Sequence, residues 1–185
     1  MSYSTTAVRA ERPVRLRRVR SRLAEYGVLV LFLAIAYAVA AFGSITTVGA
    51  VDGWYATAPV VPWTPPNWVF GPVWTVLYAT IAVAGWLVWR RGDRTDVRPA
   101  LVLFVVQLVL NSLWTPVFFG LFGVIGVAAL WIAFVIILAL DLAVAATIAA
   151  FWPVSRAAAL LLVPYLVWIL YATTLNWGDA VLAGQ

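Results

Sequence analysis

The chain reads as long apolar stretches separated by short polar punctuation. Four runs, Tyr26–Val51, Val60–Trp89, Pro99–Leu140 and Ala157–Gly178, contain no Asp, Glu, Lys or Arg. A helix needs roughly 20 apolar residues to cross the hydrocarbon core of a bilayer. Pro99–Leu140 is long enough for two crossings, with Gly120, Gly123 and Gly126 marking the reversal. The pattern therefore predicts five spans, at about 26–43, 67–89, 99–119, 124–151 and 157–177. These runs are apolar all round and lack the alternation of a membrane barrel strand. A backbone in lipid must satisfy its own hydrogen bonds, so the spans are helices. The expected fold is all-α: a polytopic membrane protein built as a bundle of five transmembrane helices. It divides into a basic disordered arm at 1–25, a transmembrane domain at 26–178 and a short tail at 179–185. No period of 20–50 residues suggests an internal repeat, and the helix pairs do not look like the inverted copies of a repeat-built transporter.

Composition agrees with this class. The chain is 65% hydrophobic and 10% charged, against about 45–50% and 25% in soluble proteins. The sign of the charge sets the topology. Seven Arg lie before the first span, Arg90, Arg91, Arg94 and Arg98 follow the second, and Arg156 precedes the fifth. The 44–66 loop, the 120–123 turn and the segment after Trp177 contain none. All 12 basic residues then fall on one side, which the positive-inside rule assigns to the cytoplasm. The N-terminus is expected in the cytoplasm and the C-terminus outside. The basic arm reads as a topology signal resting on anionic lipid, with no nucleic-acid partner expected. Ala38-Val-Ala40 resembles a signal-peptide cleavage site, but the apolar run from Tyr26 exceeds the roughly 7–15 residues of a signal core, so the first helix is read as retained. Abundant Ala, Val and Arg without Lys fit a bacterial source and its cell membrane.

The residues that are missing narrow the chemistry. There is no Cys and no His, so thiolate nucleophiles, disulfides and thiolate metal sites are out, as is the commonest general base. No metal site is expected. Haem iron would have to use Tyr in place of His. Outside the Arg-rich segments the acids are Asp52, Asp141 and Asp179, too scattered for paired carboxylates, and no catalytic residue is assigned. Asp141, inside the fourth span, is expected near its cytoplasmic end within reach of Arg156. Pro116 and Pro164 interrupt helices and are expected to bend them or free carbonyls.

What remains is aromatic and amide. Phe70, Trp74 and Tyr78 are four apart and share one helix face. Gln107, Asn111, Trp114 and Phe118 form one stripe of the third span, and Tyr165, Trp168, Ala172 and Asn176 one stripe of the fifth. Amides in lipid turn inward, and apolar walls with few polar anchors are the recipe of a small-molecule pocket. The same spacing serves pure helix packing equally well, and Ala172 serves either close helix approach or ligand space. Trp54, Trp86, Trp89, Trp152 and Trp177 lie near span ends and read as interface anchors.

Three ordered blocks then carry a resemblance. The first is Trp54-Tyr55, then Trp63-Thr-Pro-Pro-Asn-Trp68-Val-Phe-Gly-Pro-Val-Trp74 with Leu77-Tyr78. The second is Gln107-Leu-Val-Leu-Asn111 with Trp114 and Pro116-Val-Phe-Phe-Gly120. The third is Pro164-Tyr165, Trp168 and Ala172-Thr-Thr-Leu-Asn176. Over about residues 26–177 the chain resembles the tryptophan-rich sensory protein/translocator protein (TspO/MBR) family. The resemblance implies a five-helix membrane protein, a homodimer in many members, whose pocket is capped by the loop between the first two helices. It implies a porphyrin ligand, protoporphyrin IX or haem, with no required cofactor, in a sensor, regulator or transporter linked to stress. Some bacterial members are linked to light-dependent porphyrin breakdown, an enzymatic alternative that would rest on Trp74 and Trp168. Carried over by position, Trp74 and Trp168 contact ligand, with Tyr55, Pro65, Phe70, Tyr78, Gln107, Asn111 and Trp114 nearby. Ala172 matches a small position whose enlargement alters binding in relatives. Two departures stand out. Val60-Val61 replace the Lys-Pro pair common in the capping loop, which removes a basic contact to a ligand carboxylate. Asn176-Trp-Gly-Asp179 lacks the basic residue of the motif proposed for cholesterol, so cholesterol is not the expected ligand. The stretch from Gly120 to Pro164 is longer than usual, which leaves Asp141 without a family counterpart.

Overall fold

A computed structural model describes residues 22–185. Among them the structure is helical, in the order α1 (Arg22–Val51), α2 (Trp54–Thr57), α3 (Phe70–Trp89), α4 (Arg98–Thr115), α5 (Phe122–Ile125), α6 (Val127–Phe151) and α7 (Arg156–Ala183). A single 3-10 turn, Asn67–Val69, leads into α3, and a π-helical turn, Pro116–Gly120, ends α4. The five helices long and apolar enough to cross a membrane are α1, α3 with its leading turn, α4 with its π turn, α6 and α7. The expected basic arm lies mostly outside the described residues, and its last four positions already belong to α1.

Two helices are longer than the apolar pattern predicts. The first span was expected to end near Gly43, where Ser44, Thr46 and Thr47 bring in polarity. Instead α1 continues to Val51. The hydroxyls of Ser44 and Thr47 donate to the carbonyls of Ala40 and Gly43 at 2.9 Å each, so the polar side chains are satisfied by the helix that carries them. The fifth span was expected to end at Trp177 with a tail from Asp179. Instead α7 runs to Ala183, because Ala180 is buried with Phe118, Leu130 and Ala133 and Gly178 is packed within the helix against Val61.

The helices close into a ring. α1 packs on α3 and α4, α3 on α7, α7 on α6, and α6 on α4. Ala82, Ala84, Leu162, Tyr165, Ile137 and Val144 fill its core. The Gly120–Gly126 reversal forms as expected. Gly126, with φ 60° and ψ −141°, occupies a backbone region closed to side chains with a Cβ and turns the chain from α5 into α6.

The basic residues gather at one end. Arg90 at the end of α3 pairs with Glu25 of α1 at 3.0 Å and stacks over Trp86 at 4.6 Å. Trp86 in turn donates to the Glu25 carbonyl at 2.9 Å. Arg91 and Arg156 border one cleft between the α3–α4 and α6–α7 connections. Asp141 is not at that end. It sits mid-way along α6, where its Oδ2 accepts from Thr173 of α7 at 2.9 Å, while Arg156 stands over the Trp152 ring at 6.0 Å. The long α6 places Asp141 about 15 Å from its basic end at 1.5 Å per residue, so the expected approach to Arg156 does not form.

Candidate functional site

A cavity of about 460 Å³ opens in the half of the bundle away from the arginines. The C-terminal half of α1, the start of α3, the end of α4 with its π turn, the end of α7 and Tyr55 of α2 enclose it.

The face of α3 read from its spacing of four is there intact. Phe70, Trp74 and Tyr78 all line the cavity. Trp74 packs 5.4 Å from Tyr78 and 6.2 Å, edge to face, from Tyr165. From α4 and its π turn come Trp114 and Phe118, stacked at 5.4 Å, and Phe119. From α7 come Ala172, Leu175, Asn176 and Asp179.

Asn176 fixes the Trp114 ring. Its Oδ1 accepts from the indole N–H at 3.0 Å, and its Nδ2 donates to the Leu130 carbonyl at 2.9 Å. One amide thereby ties α7 to both α4 and α6. The capping loop is held at several points. Trp54 stacks on Phe122 at 3.8 Å and donates to the Phe119 carbonyl at 3.0 Å. Tyr171 donates to the Trp63 carbonyl at 2.6 Å. Val61 is buried against Gly178, where any Cβ would overlap the Val61 side chain. Tyr55 meets Phe118 and Phe119 edge-on. Burial, and then the negative charge of Asp179, raise the Tyr55 phenol above its ordinary pKa, so it presents a neutral hydroxyl.

Of the ten residues expected to touch ligand, Tyr55, Phe70, Trp74, Tyr78, Trp114 and Ala172 line the cavity, whereas Pro65, Gln107, Asn111 and Trp168 do not. Asn111 is spent within the protein. Its Oδ1 accepts from the Tyr78 hydroxyl at 2.6 Å, and its Nδ2 donates to the Tyr165 hydroxyl at 3.0 Å. Tyr78 therefore stands between Asn111 and the cavity. Gln107 lies one turn further into the bundle, fully buried, with neither amide atom partnered among the described residues. Trp168 backs the wall through Phe70, edge to face at 5.8 Å. Pro65 is half-buried in the loop.

The wall that sequence reasoning missed is α1. Tyr37, Ala40, Gly43, Ser44, Thr47, Val48 and Val51 line the cavity. Their spacing of three and four was visible, but the span was expected to end at position 43. Tyr37 also donates to the Thr75 carbonyl at 3.1 Å, which ties α1 to α3.

Comparison with known proteins agrees with this architecture. The sequence profile of the TspO/MBR family matches residues 30–181. The "Tryptophan-rich protein TspO" of Archaeoglobus fulgidus is 43% identical over 145 residues, 78% of this chain and 87% of the relative. The "Translocator protein" of Homo sapiens is 40% identical over 126 residues, 67% of this chain and 71% of the relative. The "Tryptophan-rich sensory protein" of Cereibacter sphaeroides is 38% identical over 141 residues, 75% of this chain and 84% of the relative.

Proposed function

The chain belongs to the TspO/MBR family of integral membrane proteins, and on that premise we propose that it binds a porphyrin-type tetrapyrrole in the α1–α3–α4–α7 cavity, as a sensor or carrier. The observation that carries the reading is the wall itself. Trp74, Tyr78, Trp114 and Phe118 come from two helices and surround one space of about 460 Å³. A porphyrin is flat and largely apolar. Aromatic pairing adds roughly 0.5–1.5 kcal/mol per contact beyond simple burial, and this volume lies within the roughly 300–1,000 Å³ of small-molecule pockets. The basic end of the bundle faces the cytoplasm on the positive-inside rule, which puts the cavity in the outer half of a bacterial cell membrane.

The test is a titration of the purified protein with protoporphyrin IX, followed by Trp fluorescence. Saturable quenching that is absent with N-acetyltryptophanamide in the same micelles supports the reading. Linear quenching matching that of the free indole overturns it.

One observation favours a second reading, photo-oxidative breakdown of the ligand. Trp74 lines the cavity and packs against two tyrosines, Tyr78 at 5.4 Å and Tyr165 at 6.2 Å. A light-excited porphyrin takes an electron from Trp74 and passes it to dioxygen; the hole, shared among these rings, is refilled by an electron from the macrocycle, so the net oxidation falls on the porphyrin and dioxygen is reduced. Illuminating the complex in air and watching for a bilin-like absorption band tests it. A spectrum that bleaches identically without protein removes it.

A further inference from the structure

Among the cavity-lining residues the charged ones are Asp52 and Asp179, both acids. Asp52 is exposed at the loop edge. Asp179 is different: it is only 4% exposed, the backbone amide of Val61 is directed at its carboxylate, and no cationic residue lines the cavity beside it. A buried carboxylate with no cation beside it is costly, and here it stands in the wall of the cavity. The neighbours that would otherwise neutralise it are not basic. Val60 and Val61 occupy the loop above it, with Val61 packed on Gly178 one residue before it, and Tyr55 beside it is a neutral phenol.

We propose that Asp179 sets the ligand charge this pocket accepts. Its buried negative charge favours a cationic group at that end of the cavity, an ammonium carried on a flat aromatic ring system, and disfavours a carboxylate placed there. The physical basis is that a charge held in a desolvated wall favours the opposite sign and disfavours the same sign nearby, more strongly than it would in water. A dicarboxylate porphyrin then enters with its acidic edge turned away from Asp179. Asp179 is thus a specificity-determining residue of the cavity, and Asp52 adds charge of the same sign at the rim. The inference rests on the tetrapyrrole reading for the ring on which the charge is presented.

The test holds that ring constant. Protoporphyrin IX, its dimethyl ester and its bis(2-aminoethyl)amide are titrated at neutral pH into the wild-type protein and into Asp179→Asn. Circular dichroism and a melting curve are recorded on both preparations. The wild type is expected to bind the amine derivative tightest and the diacid weakest, with a spread of roughly tenfold or more, which is ~1.4 kcal/mol. Asp179→Asn keeps the shape and removes the charge, so the three affinities are expected to converge. Three affinities ordered alike in both proteins overturn the inference while leaving the tetrapyrrole reading in place. Tightest binding of the diacid by the wild type also overturns it, since Asp179 would then hold a proton and donate to a ligand carboxylate. Should Asp179→Asn fail to fold, the wild-type order alone decides. Saturable binding of none of the three by the wild type is the separate signature that the tetrapyrrole reading fails, and the inference with it.

Discussion

The Tyr78 hydroxyl donates to Asn111 Oδ1 at 2.6 Å, and that contact separates the cavity from the bundle core. Asn111 passes the link on to Tyr165 at 3.0 Å, so one amide joins α3, α4 and α7. Asn111→Leu removes both bonds and strands two buried hydroxyls. Side-chain hydrogen bonds in membranes average about 0.6 kcal/mol, while leaving a buried group unpaired costs about 1–3 kcal/mol. The loss is expected in the upper range because two groups are orphaned. Thermal melting checks it, and Tyr78→Phe should lose less, since only the Asn111 oxygen is then bereft.

The two tryptophans that the sequence ranks together are expected to separate. Trp74 lines the cavity, and Trp168 backs it through Phe70. Trp74→Phe should weaken porphyrin binding several-fold by removing stacked area. Trp168→Phe should change affinity less and melting temperature more. Parallel titrations and melts of the two variants settle the order, and equal affinity losses would contradict the geometry.

Ala172 is 6% exposed and borders the cavity one turn beyond Trp168. Ala172→Thr inserts a branched side chain into that wall. Overpacking costs typically 1–3 kcal/mol, roughly ten- to a hundred-fold in affinity if it falls on the bound state. Ligand titration is expected to show weaker binding with a modest loss of thermal stability. An unchanged dissociation constant would place the ligand elsewhere.

Gly178 and Val61 hold the capping loop to α7. Gly178→Ala would ordinarily favour a helix by about 1 kcal/mol, but here the new methyl overlaps Val61. The loop should lift, and protease cleavage within residues 58–66 should speed up. Val61→Ala in the same chain should restore protection, because it removes the clashing methyls. A double variant cleaved as fast as Gly178→Ala would show that the loop is not seated there.

Topology is tested by reporters. One fused after Gln185 is expected outside the cell, and one inserted between Arg90 and Arg98 in the cytoplasm. Both on one side would mean an even number of crossings and contradict the five-helix ring.

Which stretches form helices and which face of α3 turns inward were already legible in the sequence. Those facts depend on local quantities: the length of an apolar run, and a spacing of four that places Phe70, Trp74 and Tyr78 on one side. The Arg pattern likewise put every described basic residue at one end of the bundle. The ends of α1 and α7 were not legible. Ser44 and Thr47 read as a boundary by composition, yet each donates to the backbone of its own helix and lets α1 run on to supply a cavity wall. The roles of the amides also had to wait for the tertiary structure. Gln107, Asn111 and Asn176 each sit on an inward stripe, but whether an inward amide meets ligand or protein depends on what the neighbouring helix brings. Tyr78 and Tyr165 consume Asn111, while Asn176 holds Trp114 and still borders the cavity. Asp179, written off as part of a tail, became a buried wall residue only when α7 continued beneath the loop. Local pattern fixes a helix and its inward face. The partner that meets that face comes from residues far away in the chain, and only packing brings them together.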